Sequence, residues 1–359
     1  MTIVATMAWT IVGPLLVLVA VVACAVAVTL TTRGRTRPAA AIAVLALVAL
    51  TWSATIVTTI VVATVRAGGS VNPLTEIVPR GPSAEPDVTR TYATENGQAL
   101  HALIFRPKGS AEAPVLYYIH GGGWVAGSAA EYGSLMRSYA DEGWLVVAVD
   151  YSLATTNHAT WNQAPAQVAC GLTWTASNVD RWGGNSTKIT VVGDSAGGNL
   201  AVNLGWAAAN RQAVSSCPDA GSVPIPSAVV VSYPVVNPGY SYDHGAEWLA
   251  PPGPKSFTRD YLGGSPAQHP DRLRAISAPT YISNRVPPTL VVEPKRDDFI
   301  PAQGVYDVVD QAKRAGADVT LVKIPFAHHL FNAVPGTLGA DAHTSIMKHF
   351  LAKRGLASL

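Results

Sequence analysis

The first sixty-six residues contain no Asp, Glu, Lys or His, and their only charges are Arg33, Arg35, Arg37 and Arg66. Residues 1–32 carry no charge, and neither do residues 38–65. A helix rises about 1.5 Å per residue, so about 20 apolar residues cross the hydrocarbon core of a bilayer. Both stretches are long enough, which predicts helices over about 8–30 and 40–64, joined by a short loop holding three arginines. Short Arg-rich loops stay on the cytoplasmic side. The expected arrangement is therefore a two-helix transmembrane hairpin in residues 1–66, with loop 33–37 inside and both the N-terminus and everything after Arg66 outside. A cleaved signal peptide fits less well, because the first segment lacks a basic start and the second is too long and has no Ala-x-Ala exit.

The rest of the chain is chemically different. Of 359 residues only 13% are charged, with 25 Lys and Arg against 23 Asp and Glu, a net of +2. Four of the basic residues and none of the acids lie in 1–66, so residues 67–359 carry a net charge of −2. Low charge combined with 48% hydrophobic residues argues against disorder, and an acidic body without a basic stripe argues against nucleic acid as a partner.

Residues 67–86 are rich in Gly, Pro and Ser and read as a linker. Beyond them, short apolar runs at 115–119, 145–149, 189–192, 228–231, 289–292 and 319–324 alternate with amphipathic stretches at 163–179, 197–209, 303–315 and 342–353. Continuous apolar strands alternating with helices predict a mostly parallel sheet covered on both faces. Residues 87–105 alternate more loosely and suit an antiparallel leading edge. A single α/β domain over 87–359 is the economical reading.

Two glycine-rich segments follow strands. Gly193-Asp194-Ser195-Ala196-Gly197-Gly198-Asn199 comes directly after the run 189–192 and opens a helix. Glycines two before and two after a serine permit a sharp strand-to-helix turn that lifts the hydroxyl above the sheet, over a helix N-terminus that favours negative charge. His120-Gly121-Gly122-Gly123-Trp124 follows the run 115–119. Consecutive glycines let backbone amides converge on one spot, as a tetrahedral oxyanion requires. The phosphate-gripping glycine patterns are absent. His120 precedes the donors and is expected to orient the loop, not to act as a base.

These segments, with Val149-Asp150-Tyr151-Ser152-Leu153-Ala154, Tyr261-Leu262-Gly263-Gly264-Ser265-Pro266 and Pro287-Pro288-Thr289-Leu290, resemble the hormone-sensitive-lipase-like esterases of the α/β-hydrolase superfamily over residues 88–355. The resemblance implies an α/β-hydrolase fold and a serine carboxylesterase. Ser195 would be the nucleophile, and the amides of Gly122, Gly123 and Ala196 would bind the oxyanion, with Gly121 a close contender. The acid should lie in Glu293-Pro294-Lys295-Arg296-Asp297-Asp298-Phe299-Ile300-Pro301, where matching the final proline selects Asp297 and leaves Asp298 as the alternative. Glu293-Pro294 departs from the usual His-Gly of the family. The family's His-x-Phe pattern selects His329 over His328 as the base.

The remaining expectations are less direct. Trp124 and Tyr233 are expected in the substrate pocket, with Trp161, Tyr240, Tyr242 and Trp248 as further contributors, and 233–254 is the expected lid insertion. His343 and His349 are expected at the surface or half buried, and His101, His158, His244 and His269 have no motif context. Cys170 and Cys217 could form a disulfide in an extracytoplasmic domain or remain two buried thiols, whereas Cys24 is a small hydrophobe in the first helix. No metal set or cofactor motif is present, so neither is expected. The expected partners are a small-molecule or lipid ester and the membrane, with the oligomeric state open. An acyltransferase using the same residues, a serine peptidase and a non-catalytic binding module are the alternatives.

Overall fold

Along the apolar run after the linker, side chains divide by parity between two buried layers: Val115, Tyr117 and Ile119 join one, Leu116 and Tyr118 the other. A strand apolar on both faces is stable only where both are covered, and this one lies near the middle of an eight-stranded sheet. The computed structural model describes residues 2–34, 36–73, 84–95, 97–109, 112–217, 221–247 and 252–358, and the side chains of 2–15 and 37 are left aside. Arg35, the linker segment 74–83 and Trp248 therefore lie outside the described residues.

The strands are β1 (Val88–Glu95), β2 (Gln98–Phe105), β3 (Ala113–Ile119), β4 (Leu145–Val149), β5 (Gly184–Asp194), β6 (Ala228–Ser232), β7 (Thr289–Pro294) and β8 (Val319–Ile324). Their order is β1-β2-β4-β3-β5-β6-β7-β8. The β1–β2 and β2–β4 pairs are antiparallel and every other pair is parallel, so the leading edge is the antiparallel one.

The helices are α1 (Thr2–Thr32), α2 (Thr36–Arg66), α3 (Gly133–Asp141), α4 (Gln163–Asn178), α5 (Ala196–Ala209), α6 (Pro238–His244), α7 (Pro254–Leu262), α8 (Pro270–Ala275), α9 (Ala302–Arg314) and α10 (Leu338–Ala352). α4, α5 and α9 bury Val168, Leu200 and Val305 against one sheet face. α3 and α10 bury Leu135 and Ile346 against the other. The chain has the α/β-hydrolase architecture: a mostly parallel sheet in which the C-terminal ends of β3–β8 form the candidate active-site edge.

α2 is long and apolar enough over Pro38–Arg66 to cross a membrane, and α1 is apolar over Leu16–Thr32. The two helices pack on each other and on α10. Ala39, Ala46 and Ser53 are buried on α2 and Ala20 and Ala27 on α1, each set seven residues apart. Small residues at that spacing form a seam along which two helices approach closely. The boundary between the helical pair and the α/β body is less clean than the sequence implies. Ile56 and Ile60 are fully buried in the body's core, and the start of the linker is held where the Ser70 amide donates to Ser345 Oγ at 2.6 Å. At the linker's far end, Arg137 donates to the Glu85 carbonyl at 3.2 Å.

Candidate active site

Ser195 sits between β5 and α5 with φ 55° and ψ −119°. A non-glycine residue at positive φ is strained, and it holds here because neighbouring backbone crowds the turn from both sides. A Cβ on Gly197 would lie 2.1 Å from the Ile119 carbonyl, so only glycine lets the helix start pass beneath β3. The Ser195 amide donates to the Ser232 carbonyl at 3.0 Å, tying the elbow to β6.

Three loops at the active-site edge bring their side chains together. His329 Nε2 lies 3.0 Å from Ser195 Oγ, and His329 Nδ1 lies 2.6 Å from Asp297 Oδ2. The other oxygen of Asp297 accepts from the amides of Phe299 and Ile300, at 3.1 and 2.8 Å. With both oxygens engaged the carboxylate is fixed in place, and all three side chains are buried. Asp298 is exposed and His328 half-buried, and neither enters this chain of hydrogen bonds. The ring of His329 packs against Tyr233 and Phe299, with centroids 4.5 and 5.1 Å away.

The Gly121–Gly123 turn lies beside the hydroxyl. A Cβ on Gly121 would stand 3.5 Å from the Ser195 Cβ, and Gly122 adopts φ +112° with the Ala126 carbonyl where its side chain would be. Among the described residues, no backbone carbonyl accepts from the amides of Gly121, Gly122 or Gly123. Ala196 is the first residue of α5, where helix amides have no partner within the helix. His120 Nδ1 is 2.7 Å from the Gly121 carbonyl, and its ring stacks on Tyr151. Burial lowers its pKa, so a neutral ring orients the loop.

Above Ser195 the space is narrow, about 10 Å³, and lined chiefly by apolar side chains, among them Trp124, Val235, Pro254, Phe257 and Phe299. Trp124 is therefore at the pocket, its ring stacked on Tyr261. Tyr233 is not. It is wholly buried, and its hydroxyl donates to Asn332 Oδ1 at 2.6 Å, because its position after β6 turns it under His329 and not toward the opening. Trp161 lines a different cavity, about 370 Å³ between α4 and α5. Tyr240 stacks on His244 and Tyr242 lies under Lys255, both away from the lining. Phe257 and Phe299 had no motif to mark them. Only the fold of the segment after β6 and of the Asp297 loop places them there.

Beneath the elbow lies a polar layer that sequence reading missed. Tyr118 donates to Asp194 Oδ2 at 2.9 Å, Asn332 Nδ2 donates to Ser232 Oγ at 3.3 Å, and His343 Nε2 is 2.8 Å from the same hydroxyl. Burial raises the pKa of Asp194 and lowers that of His343 to about 4. His343 is thus fully buried, correcting the surface expectation: α10 turns that position toward β6, whereas His349 one turn and a half later stays half-buried. Cys170 and Cys217 are disulfide-bonded, with Cα atoms 5.1 Å apart. Among the described residues no cluster of His, Cys, Asp and Glu could hold a metal ion.

A family model described as the alpha/beta hydrolase fold matches residues 116–333. The chain is 29% identical over 260 residues to esterase LipC of Mycobacterium tuberculosis, covering 70% of this chain and 62% of that protein. It is 27% identical over 277 residues to the probable carboxylic ester hydrolase LipM of the same organism, covering 72% and 59%. The chain thus spans less than two thirds of either relative. Among solved structures, Thermogutta terrifontis esterase 2 phosphonylated by sarin superposes with a TM-score of 0.63 at 20% identity, covering 78% of this chain and 99% of that one.

Proposed function

Because the chain belongs to the hormone-sensitive-lipase-like esterases of the α/β-hydrolase superfamily, we propose that it is a membrane-anchored serine carboxylesterase whose catalytic domain faces the outside of the membrane. The observation that carries this reading is the unbroken chain from Ser195 Oγ through His329 to Asp297, set on a positive-φ elbow.

The chemistry follows from those contacts. A serine hydroxyl attacks an ester carbonyl only if its proton is removed as it does so, and His329 Nε2 is within reach to take it. Asp297 holds the other ring nitrogen and stabilises the imidazolium that forms. The oxyanion of the tetrahedral intermediate is received by the amides of Gly122, Gly123 and Ala196, with Gly121 adjoining. Collapse breaks the ester C–O bond, His329 protonates the departing alcohol, and an acyl-Ser195 remains. Water, deprotonated by the same imidazole, then releases the acid and restores the serine. The halves of α1 and α2 next to the Arg33–Arg37 loop form the membrane hairpin, with that loop on the cytoplasmic side, while the far half of α2 packs on the body. The apolar length of α2 and the exposed Val, Leu and Trp side chains of both helices support this.

The test is hydrolysis of p-nitrophenyl butyrate by the full-length protein in detergent. Wild type is expected to turn it over, with Ser195→Ala reducing kcat by on the order of 10⁴-fold or more, and Asp297→Asn causing a comparable loss while Asp298→Asn causes little. Equal rates for wild type and Ser195→Ala would refute the serine mechanism.

A further inference from the structure

The direction of α2 across the body is set by contacts at two levels. Trp52 packs edge-on against Phe326, with centroids 6.2 Å apart, in the loop that leaves β8 and carries His329. Farther along, Gly68 lies directly against the ring of His349, and Ser70 bonds to Ser345. α10 runs away from the active-site edge, since His343 meets the end of β6 and the residues after α10 reach Trp144, at the start of β4. α2 therefore lies along the body from the active-site edge, at Trp52, toward the opposite edge, and residues 36–51 project beyond the active-site edge. In that projecting half Val44, Leu45, Leu47 and Val48 are exposed, as are Leu18 and Val22 of α1.

Length then decides where the bilayer must lie. From Thr36 to Trp52 a helix spans about 24 Å, whereas the hydrocarbon core is about 30 Å thick. For the arginine loop to reach the far headgroups, the level of Trp52 has to enter the near side of the membrane, which brings the active-site edge to the headgroups. Trp52, 48% exposed, stands at the depth where tryptophan favours the interface. Lys295 and Arg296 are exposed at the same edge, the Arg296 guanidinium 4.9 Å from the Phe326 ring centroid, and offer positive charge to headgroup phosphates.

We propose that the active-site edge is seated on the outer leaflet, and that the ester entering the Ser195 pocket is a lipid-borne acyl ester drawn directly from that leaflet. This rests on the hairpin and esterase readings above. β5, which leads directly into Ser195, is three strands from β8, about 14 Å along the sheet, so the pocket opening lies within the seated face. Its lining of Phe257, Phe299, Pro254 and Val235 suits an acyl chain that exchanges one apolar surrounding for another.

Full-length Cys24→Ala protein, in vesicles of phosphatidylcholine and phosphatidylglycerol, is spin-labelled at Lys295→Cys on the seated edge or at Lys313→Cys on the opposite one. Collisions with oxygen, which concentrates in lipid, are compared with those of a water-soluble nickel chelate. Label 295 should favour oxygen and label 313 the chelate; equal water exposure of both overturns the seating. In a second arm, a fluorogenic acyl ester confined to the leaflet should be hydrolysed in the enzyme's own vesicles and not in separate vesicles mixed with them. Equal rates in the two overturn the direct route. Hydrolysis of dissolved p-nitrophenyl butyrate, lost in Ser195→Ala, reports on the esterase reading separately. Release of the protein by alkaline washing would overturn the anchor, and the seating with it.

Discussion

Glu293 stands at the end of β7, four positions before Asp297, fully buried and with neither carboxyl oxygen hydrogen-bonded. Burial and the nearby Asp297 push its pKa well above the usual carboxylate range, against the pull of Lys323, its neighbour in register on β8. An acid with a raised folded-state pKa binds its proton more tightly folded than unfolded. Its contribution to stability is therefore complete below the ordinary carboxylate pKa and is lost as pH rises above it. Glu293→Gln keeps the shape without the charge, so its melting temperature should gain on wild type progressively from pH 5 to pH 9. A difference that stays constant, or that favours wild type at high pH, would show instead an ionised Glu293 paired with Lys323. At this scale the sequence marks residues that carry a motif, such as Ser195, Gly122 and His329. It does not mark Tyr233 or His343, whose roles depend on which way one strand end and one helix face turn.

Elements were legible wherever apolar runs had turn signals at their ends. The runs at 145–149 and 319–324 coincide with β4 and β8, and β3 begins two residues before its run of 115–119. β5 extends beyond its run of 189–192, to Gly184–Asp194, because its backbone still pairs with β3 where Gly184 meets Ala113. α10 starts at Leu338, earlier than its amphipathic stretch, since the Thr337 side chain caps it by accepting from the Ala340 amide. The disulfide links α4 to the segment after α5 across 47 positions. In the chain-entropy account, a loop of this length restrains the unfolded state by up to about 4 kcal/mol. Reduction of the native protein, or Cys170→Ala with Cys217→Ala, should lower the urea midpoint and raise the m-value, because the unlinked chain exposes more surface when unfolded.

For the molecule as a whole, the sequence divides at Arg66 and the structure does not. Ile60 has no exposed surface, and it shares a core layer with Ile346, Met347 and Phe350. Truncating a buried isoleucine costs about 2–5 kcal/mol, so Ile60→Ala should lower the stability of the α/β body by that order in detergent. Val62→Ala, at a partly exposed position two residues on, should cost far less. If Ile60→Ala melted like wild type, α2 would be a passenger on the body. By the same reasoning, a fragment starting at residue 87 would leave an uncovered apolar face on α10, and the full chain is the proper object for assay.

By itself the sequence determined what is local or periodic. It determined the two long apolar helices, the alternation that forces a two-faced parallel sheet, and the glycines that allow the elbow and the amide turn. These follow from backbone sterics and from hydrophobic period, which act over a few residues at a time. Only the tertiary structure set Asp297 and not Asp298 against the His329 ring, made Phe257 and Phe299 the pocket wall, and laid α2 along α10 with Trp52 beside the His329 loop. Each of those outcomes depends on residues far apart in the chain competing for one space, and apolar side chains carry no address beyond their volume. Packing supplied the address, and with it the side of the molecule that we propose is seated on the membrane.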